Sequence, residues 1–416
     1  MAQYFDIFRN TGLEMKTAIA LIAIAQTILW AGLYYLFPAF LLHWETAYSW
    51  SRSELTFALT AAVFASALLS PLAGSFIDRG KGKLLLAGCG LIGGMLITAL
   101  PEIHSQIGFY ILWTVIGGAM AGCLYEPCFA VIVRYQGEKA KHGITVITLV
   151  AGFASTICFP LAHWLIETYG IDTALRVFGL GIIGGAVPLI YIGTGRLQKL
   201  SQRTVFHEEI TSKPASKPFL KSPVFWLIGI AFSLTALNHG IVLNHLLPML
   251  GELRFSSEEA VLAISMIGPM QVAGRIFWMM ADRLFDIEKI GLICFAMLNV
   301  AALTLIGSSQ TSWLVGVFIL FQGSAYGVLN IVKPVLTRDL MGENQFGAMM
   351  GVMAVPFLIA FAIAPYVGSI LWQFSNYDVV RWFIFACTFI GIFCLGVAIA
   401  KHKKKLLQNE ETVAST

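Results

Sequence analysis

The stretch GSFIDRGKGKLLLAG, residues 74–88, sets four charged side chains, Asp78, Arg79, Lys81 and Lys83, between two apolar runs. On each side the chain continues uncharged for long enough to cross a ~30 Å hydrocarbon core as helix. The charges therefore mark a turn between two spanning helices at one membrane face. The same alternation runs through all 416 residues, which are 57% hydrophobic and 12% charged. A soluble domain carries about 25% charged residues. Mean hydropathy is +0.78. The fold class read from this is an all-α polytopic membrane protein. No period-2 alternation suggests a transmembrane barrel.

Working outward gives twelve helices, at about 16–42, 53–77, 82–101, 106–134, 140–167, 172–194, 223–252, 257–282, 286–308, 311–338, 342–370 and 375–401. The stretch 195–222, with TSKPASKPFLKSP, is basic and proline-rich and reads as a linker. The expected organisation is a six-helix half over 1–194, a cytoplasmic linker over 195–222, a second six-helix half over 223–401 and a tail over 402–416. Asp6, Arg9 and Glu14 precede a long apolar segment, so no cleaved signal peptide is expected. Of the 27 Lys and Arg, 21 fall on one side, among them Arg79, Lys81 and Lys83. Only Arg52, Arg176, Arg254 and Arg381 fall on the other, and Arg275 and Lys333 lie within helices. The positive-inside rule puts both termini and the linker in the cytoplasm. The basic loops are thus topology signals, and no nucleic-acid partner is implied. The seven cysteines all lie in apolar runs with no ligand spacing, so neither metal nor disulfide is expected.

The two halves repeat. SRSE at 51–54 answers SSEE at 256–259, each a capping-box pattern at a helix start. Pro160 answers Pro365, Asp78-Arg79 answers Asp282-Arg283, and Glu126-Pro127 answers Lys333-Pro334, at shifts of 204 to 207 residues. Two pseudo-symmetric six-helix bundles are a recurrent build for secondary transporters.

With the repeat in place, residues 74–88 resemble the loop signature of the major facilitator superfamily, Gly-x-x-x-Asp-Arg-x-Gly-x-Lys/Arg. Gly74, Asp78, Arg79, Gly82 and Lys83 fill it, the second glycine about a position off the commonest spacing. MMADRLFDIEK, 279–289, is a degenerate second copy carrying Asp282 and Arg283. Within the superfamily, YSWSRSEL (48–55), LYEPCFAVI (124–132), GFAST (152–156) and GPMQVAGR (268–275) are similar to bacterial members near the monocarboxylate-transporter and oxalate–formate exchanger branch. That branch usually places a lysine in helix 1 and an Asp-x-x-x-Arg pair in helix 8. Here helix 1 has no basic residue after Lys16, and helix 8 reads Gln271-x-x-x-Arg275. Both departures argue against a lactate-like substrate. The resemblance implies that Asp78 pairs with neighbouring helix ends and holds the cytoplasmic side closed. The alternative for Arg79 and Lys83 is plain topology.

An ionisable group within a span costs at least ~2.5 kcal/mol, so it is a functional candidate. Glu126 lies eight residues before Arg134 and Lys333 five before Arg338, or ~12 Å and ~8 Å inside the helix end. In the family fold their helices, 4 and 10, line the central cavity. Three roles compete for Glu126: a pair with Lys333 in one state, a proton-coupling carboxylate, or a static structural residue. The prolines that follow favour local helix distortion. Lys333 alternatively snorkels to the interface. Arg275 either anchors a carboxylate or reaches the cytoplasmic surface. Helix 7 offers Asn238, His239, Asn244 and His245 as a polar stripe. His245 binds substrate, carries a proton or serves as an interhelical contact. In helix 1, Gln26, Trp30 and Tyr34 are spaced i, i+4, i+8 and either meet a ligand or pack.

The function expected is a secondary active transporter moving a small organic anion, a carboxylate, by alternating access with proton symport. An exporter of drugs or metabolites on the same fold is the alternative. Lys333 and Arg275 favour an anion, and no acidic cluster in helix 1 favours a cation. No His-Glu-x-x-His, Gly-x-Ser-x-Gly or phosphate-loop pattern points to an enzyme. The linker and tail are too short for a sensor domain, and the chain has no nucleotide domain for an ATP-driven pump. The expected partners are the solute, protons and the lipid bilayer, with no cofactor. The protein is expected as a monomer of a bacterial inner membrane.

Overall fold

The computed structural model describes residues 2–204, 218–281 and 285–414. Among the described residues, twelve helices are long and apolar enough to span a membrane: α1 Leu13–Tyr48, α2 Ser53–Asp78, α3 Gly82–Glu102, α4 Gln106–Gln136, α5 Ala140–Tyr169, α6 Ile171–Ser201, α7 Pro223–Glu252, α8 Glu258–Met280, α9 Ile287–Gly307, α10 Leu314–Met341, α11 Phe346–Phe374 and α12 Tyr377–Lys405. The fold is therefore all-α, as its composition requires, and no strand occurs among the described residues.

The chain divides into two compact units. One comprises Met1–Ala215 with Glu343–Val355, and the other Ser216–Gly342 with Pro356–Thr416. The boundary departs from a division at the linker in one respect. The first turns of α11 group with the N-terminal helices, for a reason that lies at Asp78.

Local chemistry repeats between the units. At the start of α2 the Ser51 amide donates to Glu54 Oε2 at 2.8 Å, and the Glu54 amide donates to Ser51 Oγ at 3.3 Å. At the start of α8 the Ser256 amide donates to Glu259 Oε2 at 2.9 Å, and the Glu259 amide to Ser256 Oγ at 3.2 Å. Both are the capping boxes that SRSE and SSEE imply; each meets two orphan helix donors. Glycines also bring equivalent helices together. Gly117 of α4 lies on the Ala62 backbone of α2, and Gly274 of α8 lies on the Ser324 backbone of α10. Apolar helices in lipid gain by such close packing, because hydrophobic burial alone does not favour helix on helix over helix on lipid.

Each unit has its own core. In the first, Phe37, Trp44, Phe109 and Trp113 of α1 and α4 meet edge to face, with Phe37 and Trp113 centroids 4.7 Å apart. In the second, Ile241 and Leu246 of α7 pack with Ala301 and Leu305 of α9, Phe318 of α10 and Ile384 of α12.

Irregular backbone interrupts α1, α4, α5 and α6 of the first unit, α5 at Gly152–Phe153 between helical segments ending at Ala151 and restarting at Ala154, while one equivalent place in the second unit is regular. α1 is π-helical over Trp30–Tyr35, and α6 over Ile182–Ala186. α4 breaks at Leu124, which is extended (φ −83°, ψ −157°) between helical segments ending at Cys123 and restarting at Tyr125. The distortion expected from Glu126-Pro127 is thus present, one turn upstream. The corresponding Lys333-Pro334 sits inside an unbroken α10. One proline tolerates both settings because it costs an interior hydrogen bond but nothing in a first turn.

Candidate functional site

Asp78 closes the C-terminal end of α2. Its Oδ1 accepts the Gly347 amide at 2.8 Å and its Oδ2 accepts the Ala348 amide at 2.7 Å. These donors belong to the first turn of α11, where the helix has no internal acceptors for them. The carboxylate supplies acceptors and complements the positive end of the helix dipole. Arg134 Nη1 at the end of α4 donates to the Asp78 carbonyl at 2.8 Å. The approach depends on glycine. A Cβ on Gly74 would run into the Gly347 backbone, and one on Gly347 would lie 2.7 Å from Asp78 Oδ1. One turn on, a Cβ on Gly351 would lie 2.9 Å from Pro71 Cα. Ahead of α11, the Glu343 carboxylate lies beside Gly137, whose φ is +52°. Of the other motif residues, Arg79 is exposed, and Lys83 Nζ sits 3.8 Å from the Tyr191 ring centre. Asp282 and Arg283 lie outside the described residues.

Glu126 follows the break in α4. With Leu124 as N-cap, it occupies the second position of the new helix, and Pro127 the third. A carboxylate there is stabilised by the helix N-terminus by about 0.3–1 kcal/mol, more where partly buried. It is half-buried and lines a small cavity with Ser70, Gly74, Ala130 and Gly347. Gln26, fully buried on α1, donates through Nε2 to the Cys123 carbonyl at 2.8 Å, at the break itself. That bond joins α1 to α4, and Gln26 Oε1 has no hydrogen-bond partner among the described residues. Trp30 and Tyr34 fall in the π-helical segment, 5.4 Å apart, and Trp30 reaches Tyr125 at 4.7 Å across to α4. π-Segments recur at functional sites, and irregular backbone at membrane depth survives only where protein or a cavity surrounds it.

In the second unit, Arg275 is 5% exposed and its Nε donates to the Gly327 carbonyl of α10 at 3.1 Å. It does not reach out to a surface. Lys333 is 3% exposed, with its ammonium 3.8 Å from the Phe357 ring centre. The snorkelling alternative is set aside by that burial; a desolvated cation on an aromatic face is worth about 2 kcal/mol. His245 Nδ1 meets the Tyr377 hydroxyl at 3.1 Å and Nε2 meets the Pro365 carbonyl at 2.8 Å. Because a carbonyl only accepts, Nε2 donates to Pro365, and in the neutral ring Nδ1 then accepts from Tyr377. Of its three readings, this geometry is the interhelical contact, tying α7 to α11 and α12. Asn244 folds back on its own helix, donating to the Gly240 carbonyl at 2.8 Å.

Two residues that the sequence reading passed over complete a polar seam between α7 and α10. Asn238 Nδ2 donates to Gln322 Oε1 at 3.4 Å, and the His239 ring stacks on Tyr326 with centroids 3.5 Å apart. Asn238 and Gln322 are fully buried, and Asn238 Oδ1, His239 Nδ1 and Gln322 Nε2 have no hydrogen-bond partner among the described residues. Each such atom costs about 1–3 kcal/mol. Gln322 and Tyr326, spaced i, i+4 in an otherwise apolar run, were the available signal.

The chain can now be set beside known proteins. Residues 22–287 match the family model of the Major Facilitator Superfamily. Monocarboxylate transporter 12 of Xenopus laevis is 22% identical over 313 residues, 67% of this chain and 65% of that protein, so the chain spans just under two thirds of it. Monocarboxylate transporter 12-B of Danio rerio is 22% identical over 350 residues, 76% of this chain and 72% of its own. A bacterial homologue of the iron transporter ferroportin, solved in the outward-facing state, has a TM-score of 0.72 at 16% identity, covering 92% of this chain and 99% of that one. At that identity the likeness speaks for the fold alone. The twelve spanning helices and the matched family model together place this chain in the Major Facilitator Superfamily, as a membrane transporter and not an enzyme.

Proposed function

We propose that this transporter moves a small organic anion, a carboxylate, by alternating access coupled to protons. The observation that carries the reading is the pair of cations held inside the second unit, Arg275 and Lys333, each at most 5% exposed. A guanidinium grips a carboxylate through two parallel hydrogen bonds and an ammonium meets it as a point charge, so both groups suit an anionic solute. The similarity to the monocarboxylate transporters supports the same class. The test is uptake of labelled carboxylates into proteoliposomes, with and without a pH gradient. Accumulation that follows the gradient is the expected result. Equal uptake of neutral analogues would overturn the anion reading.

The two cations give a second expected result. Arg275→Gln and Lys333→Gln should each weaken carboxylate binding, since one charge-assisted contact is worth about 1.5–3 kcal/mol, or roughly 10- to 150-fold in Kd. Titration of the purified variants checks this. Unchanged affinity in both would remove the cations from the substrate site.

In this reading the protein works as a monomer in a bacterial inner membrane, with the two six-helix halves, the linker and both termini arranged as the charge bias implies. The contact from Asp78 to Gly347 and Ala348 is made in one state of the cycle and broken in another. A cysteine introduced at Ser201 or Gln408 should resist an impermeant thiol reagent in intact cells, and one at Glu102 should label. Outside labelling at Ser201 would reverse the topology.

A further inference from the structure

The seam between α7 and α10 holds polar atoms whose chemistry narrows the substrate. Asn238 and Gln322 are each 0% exposed, and a single bond joins them, from Asn238 Nδ2 to Gln322 Oε1 at 3.4 Å. That bond leaves the Asn238 oxygen and the Gln322 amino group without partners. Amide oxygen and nitrogen are assigned from the network, so either amide is open to reversal. Reversing both inverts the joining bond and leaves the sum unchanged. Two amides that share one bond still present one acceptor oxygen and one amino donor. A carboxylate only accepts and an ammonium only donates, so neither satisfies both atoms. A hydroxyl does, because its single oxygen donates once and accepts twice. His239 Nδ1, also unpartnered in the same seam, adds a ring nitrogen that donates or accepts according to tautomer.

We propose that Asn238 and Gln322 form a binding site for a hydroxyl group of the transported solute, making the substrate a hydroxylated one. The proposal rests on the transport reading for the existence of a solute, but not on the solute's charge. Combined with the cations Arg275 and Lys333, it points to an anionic solute that also carries a hydroxyl, the two read by different groups; the departures in helices 1 and 8 set that solute apart from lactate itself. The amides would also exclude deoxy analogues, because a solute without the hydroxyl leaves their buried atoms unpaired.

The experiment is direct binding to the purified full-length chain in lipid nanodiscs, by calorimetric titration, using butyrate against 3-hydroxybutyrate, succinate against malate, and erythritol as the neutral hydroxylated probe. At least one hydroxylated compound is expected to bind about tenfold or more tightly than its deoxy partner. In Asn238→Leu/Gln322→Leu that preference should fall below about twofold. Replacing both partners by apolar groups leaves no orphan, so this variant is expected to fold. If its thermal unfolding shows otherwise, the isosteric Asn238→Asp and Gln322→Glu variants take its place and should lose the same preference. Equal binding within both pairs, as an ordered water in the seam would give, overturns the proposal while leaving the anion reading standing. So does a preference that survives the substitutions, or no binding by any hydroxylated probe. Erythritol binding as tightly as the hydroxy acids, and weakened by the substitutions, would instead support the site and remove the anion reading.

Discussion

Gly74→Val is expected to push the first turn of α11 off α2 and to cut transport at least tenfold. The Gly74 and Gly347 backbones are already in contact, so an added side chain meets main chain and not a flexible side-chain tip. Overpacking of this kind costs about 1–3 kcal/mol, roughly 5- to 150-fold in the population of the docked state. The readout is a cysteine at Ala348, which is 5% exposed in the docked arrangement. Its thiol labelling should accelerate about tenfold or more when Gly74 is valine. Asp78→Asn probes the same contact without adding volume. An asparagine oxygen accepts one amide where the carboxylate accepts two, at 2.8 and 2.7 Å, so one charge-assisted bond worth about 1.5–3 kcal/mol is lost. Faster labelling at Ala348 with reduced uptake is expected there too. Unchanged labelling and uptake in both variants would show that the contact is not part of the cycle.

The features that single helices encode were legible in the residues. The twelve spans follow from run lengths, and the capping boxes at Ser51 and Ser256 from Ser three residues before Glu. The loop motif at Asp78 was recognisable from a resemblance, yet the carboxylate's partner was not. The Asp78 carboxylate meets amides 269 and 270 residues further on, and backbone amides carry no sequence signature. The break in α4 was foreshadowed by Pro127, but not its position at Leu124, nor that Gln26, 97 residues earlier on α1, meets the Cys123 carbonyl there. The π-segment at Trp30–Tyr35 has no comparable mark, since an inserted residue leaves composition unchanged. Helix 7 shows why face arithmetic stops short. Asn238 and His245 share a face by spacing, yet Asn238 reaches α10 and His245 reaches α11 and α12. A 30-residue helix passes several neighbours along its length. Lys333 was open to snorkelling by depth alone; in the structure its ammonium rests 3.8 Å from the Phe357 ring centre, a neighbour that sequence spacing does not disclose.

Glu126→Gln is expected to retain counterflow exchange and to lose uphill accumulation driven by a pH gradient. The glutamine keeps the size and the hydrogen-bonding oxygen of the native side chain but cannot take up a proton. If Glu126 is the coupling carboxylate, the exchange step, which needs no net proton movement, therefore continues while the gradient no longer does work. The local structure makes a competing account concrete. Glu126 stands at the second position of a helix that restarts after Leu124, so its charge also serves the helix N-terminus. In that static role, neutralisation would remove about 0.3–1 kcal/mol, up to about 2 where the site is partly buried. Such a loss lowers thermal stability by a few degrees and leaves both transport assays alone. Glu126→Asp separates the two further: it keeps a titratable acid at a helix start but shortens the reach into the cavity shared with Ser70 and Gly347. Gradient-driven accumulation should then persist, at a reduced rate. Gradient-driven accumulation by Glu126→Gln at the native level would assign the carboxylate to the helix terminus and move the search for the coupling group elsewhere.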